Sequence, residues 1–267
     1  MSSNKFKVTL KGDEANDSLR LSDLIDQLNA VKQALNQVDV TVSGRKTPGL
    51  YYRITKITMN SPATIEVEAM SKPNVANYGG KVVSKLKRDL QFVIAGKRPK
   101  EADLDLLESY KGLVQPLRKH VSEVLFEFEK GSVDIPRNLD MKIDEILGPD
   151  QVEMGSIIGS LDVIDIHNQK NQFKVFPTVG PTSIKCQFTK EMLTTAVAGI
   201  NHFVRISGLL HYKKAEKFPH FMKVTSIEVL PEKSDAPTMS SLRGIAKDAY
   251  GGLSSTEYVE KVRNGDW

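Results

Sequence analysis

Hydrophobic and polar positions along the first part of the chain follow two different periods. Phe6–Leu10 alternates in steps of two, as a half-buried strand does, and the apolar positions of Leu21–Leu35 follow helical spacing. Val38–Val42 returns to the period of a strand. Tyr51–Met70 predicts a β-hairpin, because the turn signal Asn60-Ser61-Pro62 separates two β-rich runs.

The next segment favours helices. Val82–Ile94 makes one amphipathic face, and Leu104–Leu117 gives a second helical stretch that Pro116 should kink or split. A strand and a turn then precede a short helix at Leu139–Leu147. A strand, a helix, several strands and then helices indicate an N-terminal α+β domain, which we assign to residues 1–147.

The pattern changes after a predicted linker at residues 148–153. Three strand-like runs, one helix and two more strands follow within residues 154–231, with Gly159 and Gly208 at points where a barrel strand bends. This order resembles the OB-fold, a five-stranded, partly open Greek-key barrel. The resemblance implies an OB-like β-barrel with one helix, and small SH3-like barrels are the competing arrangement. The predicted fold class of the whole chain is α+β.

Residues 232–267 are predicted to be a linker and a short helical C-terminal tail. Ser254 stands three residues before Glu257, which is the spacing of a capping box. Tyr258, Val259 and Val262 then form one narrow apolar edge. Such a short helix is not stable alone, so it must dock on this chain or on a partner.

The tail resembles the C-terminal segments of bacterial type II antitoxins, whose toxins are often PIN-domain ribonucleases. The likeness rests on a Leu-x-Gly element, a short Ser-started helix with an aromatic residue, and a final Arg with acidic residues. These positions are Leu242, Gly244, Ser254, Tyr258, Val259, Val262, Arg263 and Asp266. The resemblance covers only the tail, and the front of the chain lacks the small DNA-binding fold usual in such antitoxins. It implies that the tail binds a toxin-like partner in a groove, with Arg263 toward the acidic metal site of the nuclease. The alternative is a helix that folds back on its own barrel.

The loop between the fourth and fifth predicted barrel strands combines basic and aromatic residues. OB barrels bind single-stranded nucleic acid by stacking bases on aromatic side chains and placing lysines along the phosphates. The candidate residues are Lys174, Arg205, Tyr212, Lys213, Lys214, Lys217, Phe218 and Lys223. A lysine-rich hairpin tip also protects a sheet against edge association, so this composition permits nucleic-acid binding without requiring it.

A second basic group lies on and after the predicted helix Val82–Ile94. We interpret it as the solvated face of an amphipathic helix. Its members are Lys81, Lys85, Lys87, Arg88, Lys97, Arg98 and Lys100.

Composition narrows the class of protein. The chain has 267 residues, of which 40% are hydrophobic and 26% charged, and its net charge of +4 is only mildly basic. Its start has no apolar signal-peptide core, and no run approaches the roughly 18–20 apolar residues that span a bilayer. Cys186 is the only cysteine, so an intramolecular disulfide is impossible. We expect a cytoplasmic protein.

The sequence carries no familiar catalytic motif. There is no G-x-S-x-G, no phosphate-binding loop ending in Lys-Ser/Thr and no H-E-x-x-H. Glu66 and Glu68 share a strand face, as solvated carboxylates do, and His211 and His220 lack a third ligand for a metal. We therefore predict a non-enzymatic binding protein without cofactor or metal. The first hypothesis is an antitoxin-like regulator that sequesters a toxin through its tail, and the alternative is a single-stranded nucleic-acid-binding protein.

Overall fold

The computed structural model describes residues 3–12, 19–59, 62–167, 170–214, 216–231, 240 and 251–265. Over these residues the fold class is α+β, as predicted. The strands are β1 (Lys5–Gly12), β2 (Leu50–Thr58), β3 (Ala63–Ser71), β4 (Val121–Phe128), β5 (Gly131–Asp134), β6 (Gln151–Asp165), β7 (Gln172–Pro177), β8 (Ile184–Gln187), β9 (Phe203–Tyr212) and β10 (Phe221–Val229). The helices are α1 (Leu21–Ser43), α2 (Gly79–Ile94), α3 (Leu104–Lys111), α4 (Leu139–Leu147), α5 (Leu193–Ala198) and α6 (Ser255–Asn264).

The chain forms two compact units. The first comprises residues 1–154 together with 180–182 and 209–222, so it includes the tip of the β9–β10 hairpin. The second comprises residues 155–179, 183–208 and 223–267. The predicted domain boundaries stay a prediction, although β6 already begins at Gln151, inside the predicted linker.

The first unit is built on a five-stranded sheet in the order β2-β3-β1-β4-β5. Phe6, Val8 and Leu10 alternate toward the buried face of β1, and Phe6 and Val8 lie opposite Val67 and Ile65 of β3. The apolar sides of α1 and α2 belong to the same core, and the predicted β2–β3 hairpin and α2 are confirmed. Glu66 and Glu68 of β3 lie on the other face of the sheet, since β-strand side chains alternate. Glu68 is not solvated as expected, because it is buried there and pairs with Arg53 at 2.6 Å.

Two predictions for the helical elements of the first unit are confirmed. The predicted α4 is confirmed at both ends. The predicted split at Pro116 is also confirmed, because α3 ends at Lys111 and Pro116 opens the second of two short 3-10 turns. A proline lacks the N–H that a continuing helix would need.

The predicted strand at Val38–Val42 is wrong. These residues form the last part of α1, which runs on to Ser43 and ends at Gly44 with a left-handed φ of 65°. The Asp39 carboxylate is buried there and accepts hydrogen bonds from the Leu50 N–H, at 2.8 Å, and from the Tyr78 hydroxyl. Burial of this face in the core outweighs the strand preference of valine, which is a weak local bias.

The interpretation of Lys85 as a solvated residue is also wrong. Its side chain is buried in the first unit and pairs with Asp89 one turn further along α2. The Lys85 ammonium also donates to the Lys100 carbonyl, at 3.2 Å. Lys81 and Arg88, which point elsewhere around the same helix, are exposed as expected.

The barrel strands close in the order β10-β8-β7-β6-β9. Three consecutive strands with the fourth returning beside the first is the Greek-key arrangement, so the barrel has the predicted OB-like architecture. Gly159 and Gly208 stand where backbones meet. A Cβ atom at Gly208 would lie 2.1 Å from the Lys223 carbonyl oxygen, and one at Gly159 would lie 2.6 Å from that of Phe176.

The sequence pattern predicts a barrel helix over residues 189–200, whereas α5 covers only Leu193–Ala198. A 3-10 turn at Lys190–Met192 precedes α5, and Thr189 takes the N-cap position without a capping hydrogen bond from its side chain.

Within the described residues, no helix combines the length and the apolar character needed to cross a membrane.

Candidate binding surfaces

The basic loop between β9 and β10 is anchored within the first unit by one carboxylate. The Lys213 ammonium lies 2.7 Å from the Asp150 carboxylate. His211 Nδ1 lies 3.4 Å and His220 Nε2 3.6 Å from the other oxygen of the same group. Burial alone would raise the pKa of Asp150, but Lys213 and the imidazoles outweigh it and hold that pKa below its ordinary value. Lys213 therefore has its charge matched inside the protein.

Arg98 holds the other side of this loop. Its guanidinium forms an ion pair with Glu216 and donates to the Lys214 carbonyl at 3.3 Å. Another of its nitrogens donates to the Ala102 carbonyl at 2.8 Å. The backbone on either side of the loop tip is thus tied to the α2–α3 region, which the sequence did not reveal.

The remaining loop candidates are more open to solvent. The side chains of Lys214, Lys217 and Phe218 are exposed, and Tyr212 is half-buried. The Phe218 ring lies close to Gly180, where an added Cβ atom would come within 2.9 Å of it. The loop is thus held by contacts with Asp150 and Arg98, and Lys214 and Lys217 remain exposed.

The two loop histidines do not form a metal site. The Asp150 carboxylate lies beside His211 and His220, where a third metal ligand would be needed. It is already paired with the Lys213 ammonium. Among the described residues, no group of three or more His, Cys, Asp and Glu side chains is arranged to hold a metal ion. Burial lowers the pKa of His220 more than the Asp150 carboxylate raises it. Its ring is therefore neutral at neutral pH.

A different basic surface lies on the barrel, in the second unit. Lys174 of β7 is directly opposite Lys185 of β8, and both side chains are exposed. Like charges directly across a strand pair destabilise the sheet unless an anion lies between them. Lys223 of β10 is also exposed, whereas Arg205 already pairs with Glu228 at 2.7 Å. Lys185 is not among the residues predicted from composition, although its alternation with the buried Ile184 and Cys186 places it on the outer face.

The outer face of β7 and β8 continues beyond these lysines. Gln172 and Gln187 form the next outward-facing pair along the two strands. Phe176 is half-buried and shares the face of Lys174, because side chains two residues apart point the same way. The face therefore combines amides, two facing ammonium groups and one aromatic ring.

The lone cysteine points into the barrel, as its alternation predicts. Cys186 is fully buried, and burial raises the pKa of its thiol to about 12. A thiol that does not ionise near neutral pH is a weak nucleophile. It acts as a small core side chain.

The C-terminal helix α6 has the predicted capping box. The Ser254 hydroxyl accepts from the Glu257 N–H at 3.3 Å, and the Glu257 carboxylate accepts from the Ser254 N–H at 2.7 Å. Hydrogen bonds from Ser254 also lower the pKa of Glu257. Val259 is 45% exposed and Val262 40% exposed, and no residue of α6 is buried. The two valines of the apolar edge thus face solvent.

The other predicted tail positions divide into two groups. Tyr258 is half-buried, and Arg263 is exposed in the last turn of α6. Leu242, Gly244 and Asp266 lie outside the described residues. The described part of the tail is thus the capped helix with its valine edge and basic end.

Comparison with known proteins adds no relative: no family model, no curated protein and no solved structure matches this chain. The likeness of the tail to antitoxin C-termini therefore rests only on the residues that carry it.

Proposed function

We propose that this chain is a non-enzymatic binding protein that captures a partner protein through α6, as an antitoxin captures its toxin. The observation that carries the proposal is the exposed valine edge of a capped, ten-residue helix. Isolated helices shorter than about 12–15 residues are marginal in water, and most helical stability in proteins comes from packing an apolar face. A groove on a partner would supply that packing.

The helix fits recognition by insertion into a groove. Val259 and Val262 are three residues apart, so they project from one side of α6. Complete burial of a valine contributes on the order of 1.5–3 kcal/mol, and each of these side chains has nearly half of its surface left to bury. Lys261 and Arg263 make the end of the helix basic, which suits a groove with an acidic end. The acidic metal site of a PIN-type ribonuclease, the toxin class that the tail resemblance implies, has this character.

Co-expression with the product of the neighbouring gene tests the proposal. Toxicity of that product should be relieved by the full chain and should return with the double variant Val259→Asp/Val262→Asp, because two carboxylates cannot enter an apolar groove. Glu260→Ala is the matched control, at an exposed position on another side of α6, and should keep the relief. If the complex of this chain with that product persists with the double variant, or after removal of residues 240–267, the proposal is wrong.

A second function has its own observation. The facing pair Lys174 and Lys185 supports binding of single-stranded nucleic acid on the outer face of β7 and β8, with a phosphate between the two ammonium groups. Phe176 provides a ring on which a base can stack, and Gln172 and Gln187 provide hydrogen-bond donors and acceptors. This surface needs neither Lys213 nor Arg205, whose charges are matched within the protein.

Fluorescence anisotropy with a labelled oligothymidylate tests this second function. Each phosphate contact to a single strand contributes about 0.7 to the slope of log K against log salt, so Lys174→Gln/Lys185→Gln should lower that slope by about 1.4. Lys81→Gln/Lys97→Gln changes the net charge equally at exposed positions of the first unit. If both double variants weaken binding to the same extent, the attraction is general and the β7–β8 face has no special role.

A further inference from the structure

The first unit contains a cavity that neither proposed function uses. It has a volume of about 460 Å³ and lies between the start of β1, the first half of α2 and the turn after β4. Small-molecule sites in proteins have volumes of roughly 300–1,000 Å³. The cavity therefore has the size of a site for a small organic ligand.

Three lysines give the cavity its charge. Lys5, Lys87 and Lys130 line it, and Glu129 is the one acidic residue among the described lining residues. The lining thus carries an excess of two positive charges. The Glu129 carboxylate accepts a hydrogen bond from the Ser3 N–H at 3.2 Å, which turns part of its charge toward the backbone.

The ammonium groups of Lys87 and Lys5 keep donors for a ligand. Lys87 donates to the Lys130 carbonyl, which holds these two residues together at one edge of the cavity. An ammonium group has three donors, so Lys87 keeps two. Lys5 lies 3.8 Å from Glu68, a long ion pair, and its side chain is 60% exposed. Its charge is thus only loosely held by the protein.

Two of the lining residues form an apolar part of the cavity wall. Val83 is buried in the core and lines this wall together with Phe128. The Phe128 ring packs against the rings of Phe6, at 5.9 Å, and Phe126, at 6.4 Å between centroids. These stacked neighbours restrict the orientation of the Phe128 ring.

We infer that this cavity binds a small organic phosphate that carries an apolar ring. The phosphate accepts hydrogen bonds from Lys5, Lys87 and Lys130, and the ring packs against Phe128 and Val83. A phosphate monoester carries about −1.5 to −2 charges at pH 7, which matches the excess of two positive charges on the lining. An inorganic anion would leave the apolar wall uncovered, and a neutral ring would leave the lysines uncompensated.

Isothermal titration calorimetry of the full chain with phenyl phosphate tests the inference. Inorganic phosphate and phenol, each with one half of the recognised chemistry, serve as comparison ligands. Phenyl phosphate should bind saturably and at least about tenfold more tightly than either one. Lys87→Gln and Lys130→Gln should each weaken it by about tenfold, the effect of losing one charge-assisted hydrogen bond.

Two further variants separate the site from general attraction. Lys81→Gln removes the same charge from an exposed position on α2 outside the cavity, and it should leave the affinity unchanged. Lys87→Arg keeps a donor cation and should retain most of the binding, with a melting temperature equal to that of the native chain. The inference is overturned if phenyl phosphate binds no better than inorganic phosphate, if no saturable binding occurs, or if Lys81→Gln weakens binding as much as Lys87→Gln.

Discussion

Lys85 and Asp89 form an ion pair inside the first unit, and its removal has a calculable effect. The Lys85 ammonium lies 2.9 Å from the Asp89 carboxylate, and the two side chains are only 5% and 2% exposed. At an effective dielectric constant near 20, this attraction amounts to about 6 kcal/mol. Desolvation of two charges opposes it by several kcal/mol per ion, so the net contribution of the intact pair is small. The loss of one partner is therefore far more harmful than the loss of both.

Lys85→Met leaves Asp89 buried without a counter-charge. Burial already raises the pKa of Asp89 above its ordinary 3.8, against the opposing effect of Lys85, and the substitution raises it further. The carboxyl then takes up a proton. Relative to the unfolded chain, in which Asp89 is ionised, this protonation costs about 4 kcal/mol of folding free energy at pH 7 and less than about 2 kcal/mol at pH 5. We expect the variant to lose about 3–4 kcal/mol of unfolding free energy at pH 7 and about 1–2 kcal/mol at pH 5.

The direction of this pH dependence follows from proton binding. Between pH 3.8 and the raised pKa of Asp89, the folded state holds a proton that the unfolded state has released. Stability therefore falls as the pH rises through this window. The window is wider in the Lys85→Met variant than in the native chain.

Urea unfolding followed by far-ultraviolet circular dichroism measures both quantities. The double variant Lys85→Met/Asp89→Leu should recover most of the lost stability, because it buries no charge. Lys81→Met is the control at an exposed position of the same helix and should change stability by less than about 0.5 kcal/mol. An equal loss at pH 5 and pH 7, or a double variant as unstable as Lys85→Met, would refute the reasoning.

Three more perturbations test other parts of the structure. Gly208→Ala should destabilise the barrel by about 3 kcal/mol in thermal unfolding, because its new methyl group meets the Lys223 backbone; a melting temperature like that of the native chain would contradict this close approach. Cys186 should react with a thiol reagent at pH 8 only after denaturant is added, and rapid labelling of the native chain would show that the thiol is not buried. Asp150→Asn should increase hydrogen exchange in residues 209–222 and reduce stability by about 1 kcal/mol above pH 3.8. The lowered pKa of Asp150 means that this contribution exists above pH 3.8 and is lost as the pH falls below it. A variant whose stability has the same acid dependence as that of the native chain would contradict a stabilising contact between Asp150 and Lys213.

Local pattern was sufficient for most elements of the fold. The alternation of β1, the hairpin β2–β3 and the ends of α4 are confirmed because each depends on periodicity and turn residues within a few positions. The capping box of α6 is confirmed for the same reason, since its partners are three residues apart. The order of the barrel elements was likewise readable, and their closure into a Greek-key barrel agrees with it.

The binding surfaces depended on longer-range contacts. The sequence identified Lys174 and Lys213 as equally plausible nucleic-acid residues. The register of β7 and β8 places Lys174 opposite Lys185, whereas the fold brings Asp150 to Lys213 across 63 residues of chain. Composition cannot distinguish a lysine that lies opposite another lysine, such as Lys174, from one that is paired with a carboxylate, such as Lys213.

By itself, therefore, the sequence determined most of the element types, the barrel order and the amphipathic edge of the tail, because each is set by neighbours along the chain. Only the tertiary structure decided that Val38–Val42 is helical and that Lys85 is buried. In both cases the decisive term is burial against distant residues: Asp39 is satisfied by the Leu50 backbone and Lys85 by Asp89 within a closed core. Such energies exceed local propensities of a few tenths of a kcal/mol per residue, so the packed environment, and not the local pattern, sets the outcome.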